Sequence, residues 1–310
     1  MDYQEHHREK ETLAQFLSGR VDRREFIRRA ALVTGGSILS FSLLGSLACQ
    51  QEQLPETAVL KAVPTLAPGP VETVAPNDPR IDAGPVEFQG EDATLMGYLA
   101  RPKSEGPHPT VLVLHENTGM LPHFPDVARR LALEGYVALA LDLLGRHGGT
   151  ASFPDIDAAK AAQGAMPEKQ TVSDMNAAVD YMRGLSGIQP DRVGVIGFCR
   201  GGTNTMLLAV RNLNIKAAVP FYGSNPPLEE LARTNAAILN IIPSEDAKRV
   251  AMAPELEAAM QQYGKVYKGV TYEGAKHSFF NDQKENRYHP QAAGEAWQET
   301  LGWLQQHLKG

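Results

Sequence analysis

The chain has 310 residues, of which 43% are hydrophobic and 21% are charged, and its formal net charge is −6. This composition is typical of a globular protein, and it argues against a disordered chain and against a strongly basic protein that binds nucleic acid. The two cysteines are too few for a disulfide framework. Length alone predicts about two domains, but the pattern along the chain predicts a different division.

The first 49 residues have the pattern of an export signal. Arg23 and Arg24 precede residues 30–48, which carry no charge. This arrangement resembles a twin-arginine signal peptide, which engages the twin-arginine export machinery and directs a protein across the bacterial cytoplasmic membrane. A retained membrane anchor is the alternative, because about 20 apolar residues span a bilayer. The glycines and serines of the segment favour the cleaved signal.

Cys49 ends this uncharged segment, and residues 46–49 resemble a bacterial lipobox. A lipid on Cys49 would attach the protein to a membrane, in the periplasm or at the cell surface. A simply cleaved signal is the alternative, since the first lipobox position is usually leucine and here is Ser46. The proline-rich residues 50–80 are interpreted as a tether. One domain of about 230 residues, 81–310, remains.

Short apolar segments alternate with segments of helical spacing in this domain. The alternation predicts an α/β fold with a mostly parallel sheet that helices cover on both faces. Sheets of this kind place their functional sites at the carboxyl ends of the strands. Strands are predicted at 94–99, 110–115, 137–142, 192–198, 216–222, 236–242 and 266–272, and helices at 125–134, 202–211 and 251–263 and around positions 172–182 and 297–308.

A glycine-rich turn at residues 197–202, GFCRGG, lies between a predicted strand and a predicted helix. This is the setting of a nucleophile elbow, in which the glycines allow a sharp turn without a clash of Cβ atoms. The nucleophile would be Cys199, since a helix N-terminus favours the thiolate over the thiol. We therefore expect Cys199 to be nucleophilic at neutral pH.

A buried structural cysteine, a phosphate-binding turn and a redox-sensing thiol are the alternatives for Cys199. The glycine spacing departs from GxGxxG and no P-loop lysine follows, which disfavours nucleotide binding. No second cysteine lies near position 199 to form a disulfide with it, which disfavours a redox sensor.

An α/β-hydrolase places its acid and its histidine downstream of the nucleophile, after later strands. Asp246 and His277 occupy these places, each a few residues beyond a predicted strand. Glu245 is the alternative acid, and His147 and His289 are alternative bases that are less well placed relative to the strand ends.

The sequence HENTG at residues 115–119 ends a central predicted strand at the same edge of the sheet. A zinc site of the HExxH type is excluded because the fifth residue is glycine, so no metal is predicted. We expect this loop to supply one oxyanion-hole amide, from Asn117, beside the amide of Arg200. Glu116 would then lie near the thiol.

These motifs together resemble the dienelactone hydrolase family, whose members are thiol enzymes with the α/β-hydrolase fold. The resemblance covers nearly all of residues 85–308. It rests on HENTG at 115–119, the run 134–145, GFCRGG at 197–202, SED at 244–246 and GAKHSFFND at 274–282.

The resemblance implies that the domain is catalytic, needs no cofactor and hydrolyses a small ester or lactone, as carboxymethylenebutenolidases do. It implies that Cys199 is the nucleophile, His277 the base and Asp246 the acid that orients it. It also implies that Glu116 pairs with the resting thiol. A tethered binding protein without activity is the alternative from a different functional class.

Family members that act on dienelactone hold the substrate carboxylate with two arginines. Arg146 lies near one of these positions, which makes it a candidate substrate-binding residue. The other position is occupied by Asn281. Because an amide cannot replace a bidentate guanidinium, the sequence favours a different ester or lactone.

Overall fold

The computed structural model describes residues 73–310. The predicted signal peptide, the candidate lipidation site Cys49 and most of the predicted tether therefore lie outside the described residues. Within residues 73–310, no helix is both long enough and apolar enough to cross a bilayer.

Eight strands form one sheet in the order β1-β2-β4-β3-β5-β6-β7-β8. Strands β1 and β2 and strands β2 and β4 pair antiparallel, and every other neighbouring pair is parallel. The strands are β1 Ile81–Gln89, β2 Thr94–Pro102, β3 His108–Leu114, β4 Val137–Asp142, β5 Ile188–Phe198, β6 Ile215–Phe221, β7 Ala237–Pro243 and β8 Tyr267–Tyr272.

Helices cover both faces of this sheet, as the alternation of apolar segments predicts. Helices α1 and α6 pack on one face, and α3, α4 and α5 pack on the other. The helices are α1 His123–Leu133, α2 Ile156–Ala165, α3 Glu168–Arg183, α4 Arg200–Arg211, α5 Ala247–Gln262 and α6 Pro290–Leu304.

The central strand β3 shows why the sheet is buried on both sides. Val111 and Val113 belong to the core on the α1 side, whereas Leu112 and Leu114 belong to the core on the α3 side. All four side chains are fully buried, so β3 appears in the sequence as an unbroken apolar run. The predicted α/β-hydrolase architecture is confirmed.

The structure differs from the predicted elements and domain boundary in three main respects. Strand β1 was not predicted, since its exposed and half-buried positions include Gly84 and Pro85, which disfavour strands. Helix α2 was not predicted either, because only Ala159 and Gln163 of this exposed helix are buried. The packed unit also begins before the expected residue 81, because the buried Val74 N–H donates to Asp126 Oδ1 at 2.7 Å.

Candidate active site

Cys199 occupies the turn between β5 and α4, where its backbone has φ 57° and ψ −111°. A non-glycine residue in this region is strained by roughly 1–3 kcal/mol, and such strain clusters at functional sites. The turn also needs glycine at position 201, because a Cβ there would collide with the carbonyl oxygens of Leu114 and His115. The chain therefore forms the nucleophile elbow that the GFCRGG sequence predicts.

The backbone N–H groups of Arg200 and Asn117 lie near the sulfur of Cys199, where both act to lower the thiol pKa by hydrogen bonding. They come from the first residue of α4 and from the loop after β3. Two amides that converge on one nucleophile can stabilise the oxyanion of a tetrahedral intermediate. This arrangement agrees with the predicted pair of donors.

The thiol itself is not held as a thiolate. Burial, followed by the negative charge of Glu116, raises the pKa of Cys199 despite the opposing effect of the amides and of Lys284. The expectation of a thiolate at neutral pH was wrong, because it considered the helix N-terminus and neglected desolvation and the nearby carboxylate. Cys199 is a neutral thiol at rest.

The His277 Nδ1 atom donates a hydrogen bond of 2.6 Å to Asp246 Oδ2. Burial raises the pKa of Asp246, but the hydrogen bonds from His277 and from the Arg249 amide outweigh it and lower the pKa overall. The acid is therefore ionised and fixes the ring of His277. Within residues 73–310, no hydrogen bond joins the His277 ring to Cys199, so the resting thiol is not yet paired with the base.

The alternative acid and bases have other positions in the structure. Glu245 is exposed. His289 accepts a hydrogen bond from the Ala292 amide and caps α6. His147 ends a short 3₁₀ turn and lines a cavity that does not include Cys199. Asp246 and His277, by contrast, are joined to each other by the 2.6 Å hydrogen bond.

Glu116 is fully buried and is held by side chains from two later segments of the chain. Tyr222 Oη donates to its Oε1 at 3.5 Å, and Asn281 Nδ2 donates to its Oε2 at 3.3 Å. Lys284 Nζ forms a close ion pair with the same Oε2 atom. Glu116 thus lies near the thiol, as the family resemblance implies, and three polar groups fix its position.

Tyr222 and Lys284 are site residues that the sequence analysis missed. Tyr222 follows β6 with a strained φ of 44°, and its ring centroid lies 4.9 Å from that of His277. Burial, followed by the negative charge of Glu116, raises the pKa of Tyr222 well above its ordinary value, so its hydroxyl stays protonated. Its place at the carboxyl end of the predicted strand 216–222 was a signal that could have identified it.

Arg146 is bound by two acidic side chains. Asp174 accepts from it twice, at 2.9 and 2.7 Å, and Asp92 accepts once at 2.9 Å. It lines a cavity with His147 and Phe153 that does not contain the nucleophile. In this structure its guanidinium is an ion-pair partner of two acidic side chains, and the substrate-binding role stays a prediction.

A cavity of about 500 Å³ opens over Cys199. Asn117, Arg200, Thr203 and Arg249 contribute to its walls, which combine polar and apolar surface. A small ester or lactone fits a cavity of this size. The described residues contain no group of histidine, cysteine and acidic side chains that could hold a metal ion.

Comparison with known proteins identifies relatives that are similar in sequence. Residues 95–308 match the model of the dienelactone hydrolase family. A protein of Methylorubrum extorquens named "Putative carboxymethylenebutenolidase" is 32% identical over 282 residues, covering 85% of this chain and 97% of the relative. A Bradyrhizobium protein named "Probable 2-oxo-3-(5-oxofuran-2-ylidene)propanoate lactonase" is 36% identical, covering 73% of this chain and 94% of the relative.

Solved structures of dienelactone hydrolase-like proteins have the same fold. The crystal structure titled "Putative Dienelactone Hydrolase" from Klebsiella pneumoniae superposes with a TM-score of 0.67 at 30% identity, covering 73% of this chain and 99% of that chain. A dienelactone hydrolase-like phosphotriesterase from metagenomic libraries reaches a TM-score of 0.65 at 21% identity, which supports the fold alone.

Proposed function

The chain belongs to the dienelactone hydrolase family and is a hydrolase, and on that premise we propose that it cleaves an ester or lactone through a thioester on Cys199. The observation that carries the proposal is the strained elbow at Cys199, with the amides of Arg200 and Asn117 beside its sulfur. His277, held by Asp246, supplies the base for the attack of water on the thioester.

In the first step, the substrate carbonyl carbon lies against Sγ of Cys199 and its oxygen accepts from the two amides. The thiol transfers its proton to a neighbouring base as the sulfur attacks, and a tetrahedral oxyanion forms. Collapse of this intermediate breaks the carbon–oxygen bond of the ester. The alkoxide takes from that base the proton that the thiol gave up, and it leaves as the alcohol, while the acyl group stays on sulfur as a thioester.

In the second step, water attacks the thioester. His277 Nε2 accepts a proton from this water, since Nδ1 is engaged by Asp246 and directs the other ring nitrogen to the reaction. The carbon–sulfur bond then breaks, the carboxylic acid leaves, and the sulfur receives the proton from His277, which restores the thiol. Every bond that forms is matched by one that breaks, and no cofactor takes part.

Hydrolysis of a small aryl ester by the full chain and by its Cys199→Ala variant tests this proposal. We expect release of the phenol by the wild type and a loss of at least about 10³-fold in kcat/KM in the variant. A mass increase equal to the acyl group, on the peptide that contains Cys199 after rapid acid quenching, would identify the thioester. Full activity in the variant would refute the role of Cys199.

We also propose that residues 1–49 direct export by the twin-arginine route and that Cys49 is then lipidated. The supporting observations are the paired arginines, the uncharged segment and the lipobox-like sequence. The mass of the mature N-terminal peptide from a bacterial membrane fraction tests the lipidation of Cys49. A diacylglycerol adduct on an N-terminal Cys49 supports lipidation, whereas an unmodified N-terminus elsewhere contradicts it.

A further inference from the structure

Glu116 is the one fully buried carboxylate beside the proposed nucleophile among the described residues. Its side chain has no exposed surface, and its charge is one of the factors that raise the pKa of Cys199. An ionised carboxylate in such a place is costly unless a cation and hydrogen bonds compensate it. The groups that contact Glu116 therefore decide whether it can accept the proton of the thiol.

Lys284 is the cation that contacts Glu116 in the described part of the chain. It lies in the segment between β8 and α6, and its side chain is 28% exposed. Its Nζ atom also donates to Ser278 Oγ at 3.3 Å, next to His277. One ammonium group thus connects the carboxylate beside the thiol to the segment that carries the base.

The other partners of Glu116 are neutral and cannot compensate its negative charge. Tyr222 and Asn281 donate single hydrogen bonds at 3.5 and 3.3 Å, and neither carries a positive charge. Lys284 also acts on the thiol itself, because its charge is one of the factors that lower the pKa of Cys199. It therefore favours the ionised carboxylate before proton transfer and the thiolate after it.

We propose that Lys284 is a positioning residue that keeps Glu116 ionised beside Cys199 and so enables Glu116 to take the thiol proton. In this step the S–H bond breaks, an O–H bond forms on Glu116, and the electron pair stays on sulfur. Lys284 exchanges no proton in this step. The inference rests on the proposed thiol chemistry and identifies a residue that the family resemblance did not assign.

Infrared spectra of the full chain test the first part of this inference without any substrate. The difference between wild type and Glu116→Gln at pH 7 should show the bands of an ionised carboxylate. The difference between Lys284→Met and the double variant Lys284→Met/Glu116→Gln should show a protonated carboxyl group instead, because the buried charge has lost its cation. Carboxylate bands in both difference spectra would overturn the proposal.

Kinetics with an aryl ester test the second part. We expect Lys284→Met to lower kcat/KM by at least about 10-fold and Lys284→Arg, which keeps the charge, by less than about 3-fold. Because Lys284 acts mainly through Glu116 and its direct effect is the smallest of those that shift the thiol pKa, the double variant should be slower than Glu116→Gln alone by much less than the loss in Lys284→Met. If the losses in kcat/KM of the two single variants multiply in the double variant, Lys284 acts independently of Glu116. That result would also overturn the proposal.

Lys268→Met is the matched control, since Lys268 forms a lysine–glutamate pair with Glu299 at 2.6 Å near the protein surface. This variant should keep the infrared signal of Glu116 and the wild-type rate. If the wild type hydrolyses no ester, the proposed function fails while the infrared comparison still decides the charge of Glu116. The two failures are therefore distinguishable.

Discussion

The side chain of Asp246 holds two segments of the chain at once. Its Oδ2 atom accepts a 2.6 Å hydrogen bond from His277 Nδ1, and its Oδ1 atom accepts from the Arg249 amide at the start of α5. The same carboxylate thus orients the proposed base and caps a helix. These two roles can be separated by experiment.

Replacement of Asp246 by asparagine should remove the charge and leave the helix cap. Asparagine is as good an N-cap as aspartate, so the melting temperature should change little. The rate should fall by roughly 10²–10⁴-fold, because the neutral amide no longer enforces the productive tautomer of His277. Asp246→Ala should lose the same activity and also about 1 kcal/mol of stability. Asp155→Ala, which removes the cap of α2, should lose stability and keep the rate.

The rate of alkylation of Cys199 should depend on pH in a defined direction. Because burial and Glu116 raise the pKa of the thiol, the thiolate forms only above the ordinary pH range of a free cysteine. Iodoacetamide should therefore react more slowly than with free cysteine at pH 7 and faster as the pH rises. Glu116→Gln should shift this profile to lower pH. A profile centred below that of free cysteine would contradict the resting thiol.

Alanine at position 201 should displace the elbow. Its Cβ would meet the carbonyl oxygen of Leu114, which belongs to the rigid backbone at the end of β3. We expect a loss of about 1–3 kcal/mol in the free energy of unfolding, together with most of the activity. Gly302→Ala, in open space on α6, is the control and should be neutral or slightly stabilising. Equal effects of the two substitutions would show that the close approach of Gly201 to the Leu114 carbonyl is unimportant for stability.

Removal of the Arg146 side chain should affect stability more than the choice of substrate. Arg146→Gln leaves Asp174, whose side chain is only 3% exposed, without its cation, at a cost of about 3 kcal/mol. Arg183→Gln, which breaks exposed pairs, should cost less than about 1 kcal/mol. The ratio of kcat/KM for a carboxylate-bearing ester to that for a neutral ester should be unchanged. A drop in this ratio would show that Arg146 binds the substrate carboxylate.

The sequence by itself determined the fold class and the order of the catalytic candidates. Apolar strands such as β3 are buried on both faces and must be continuous in the sequence, and a sharp turn around Cys199 requires nearby glycines. Asp246 and His277 could be identified because parallel strands bring their carboxyl ends to one edge. These features depend on local sequence and on chain order.

Only the tertiary structure decided the charge relations at the site. Lys284 meets Glu116 across 168 residues, and Arg146 meets Asp174 across 28, and no local pattern encodes either pairing. The protonation of Cys199 likewise depends on how deeply the thiol is buried and on which charges surround it. Desolvation and Coulomb interactions depend on distances in space, so a motif can identify the nucleophile but cannot specify its pKa.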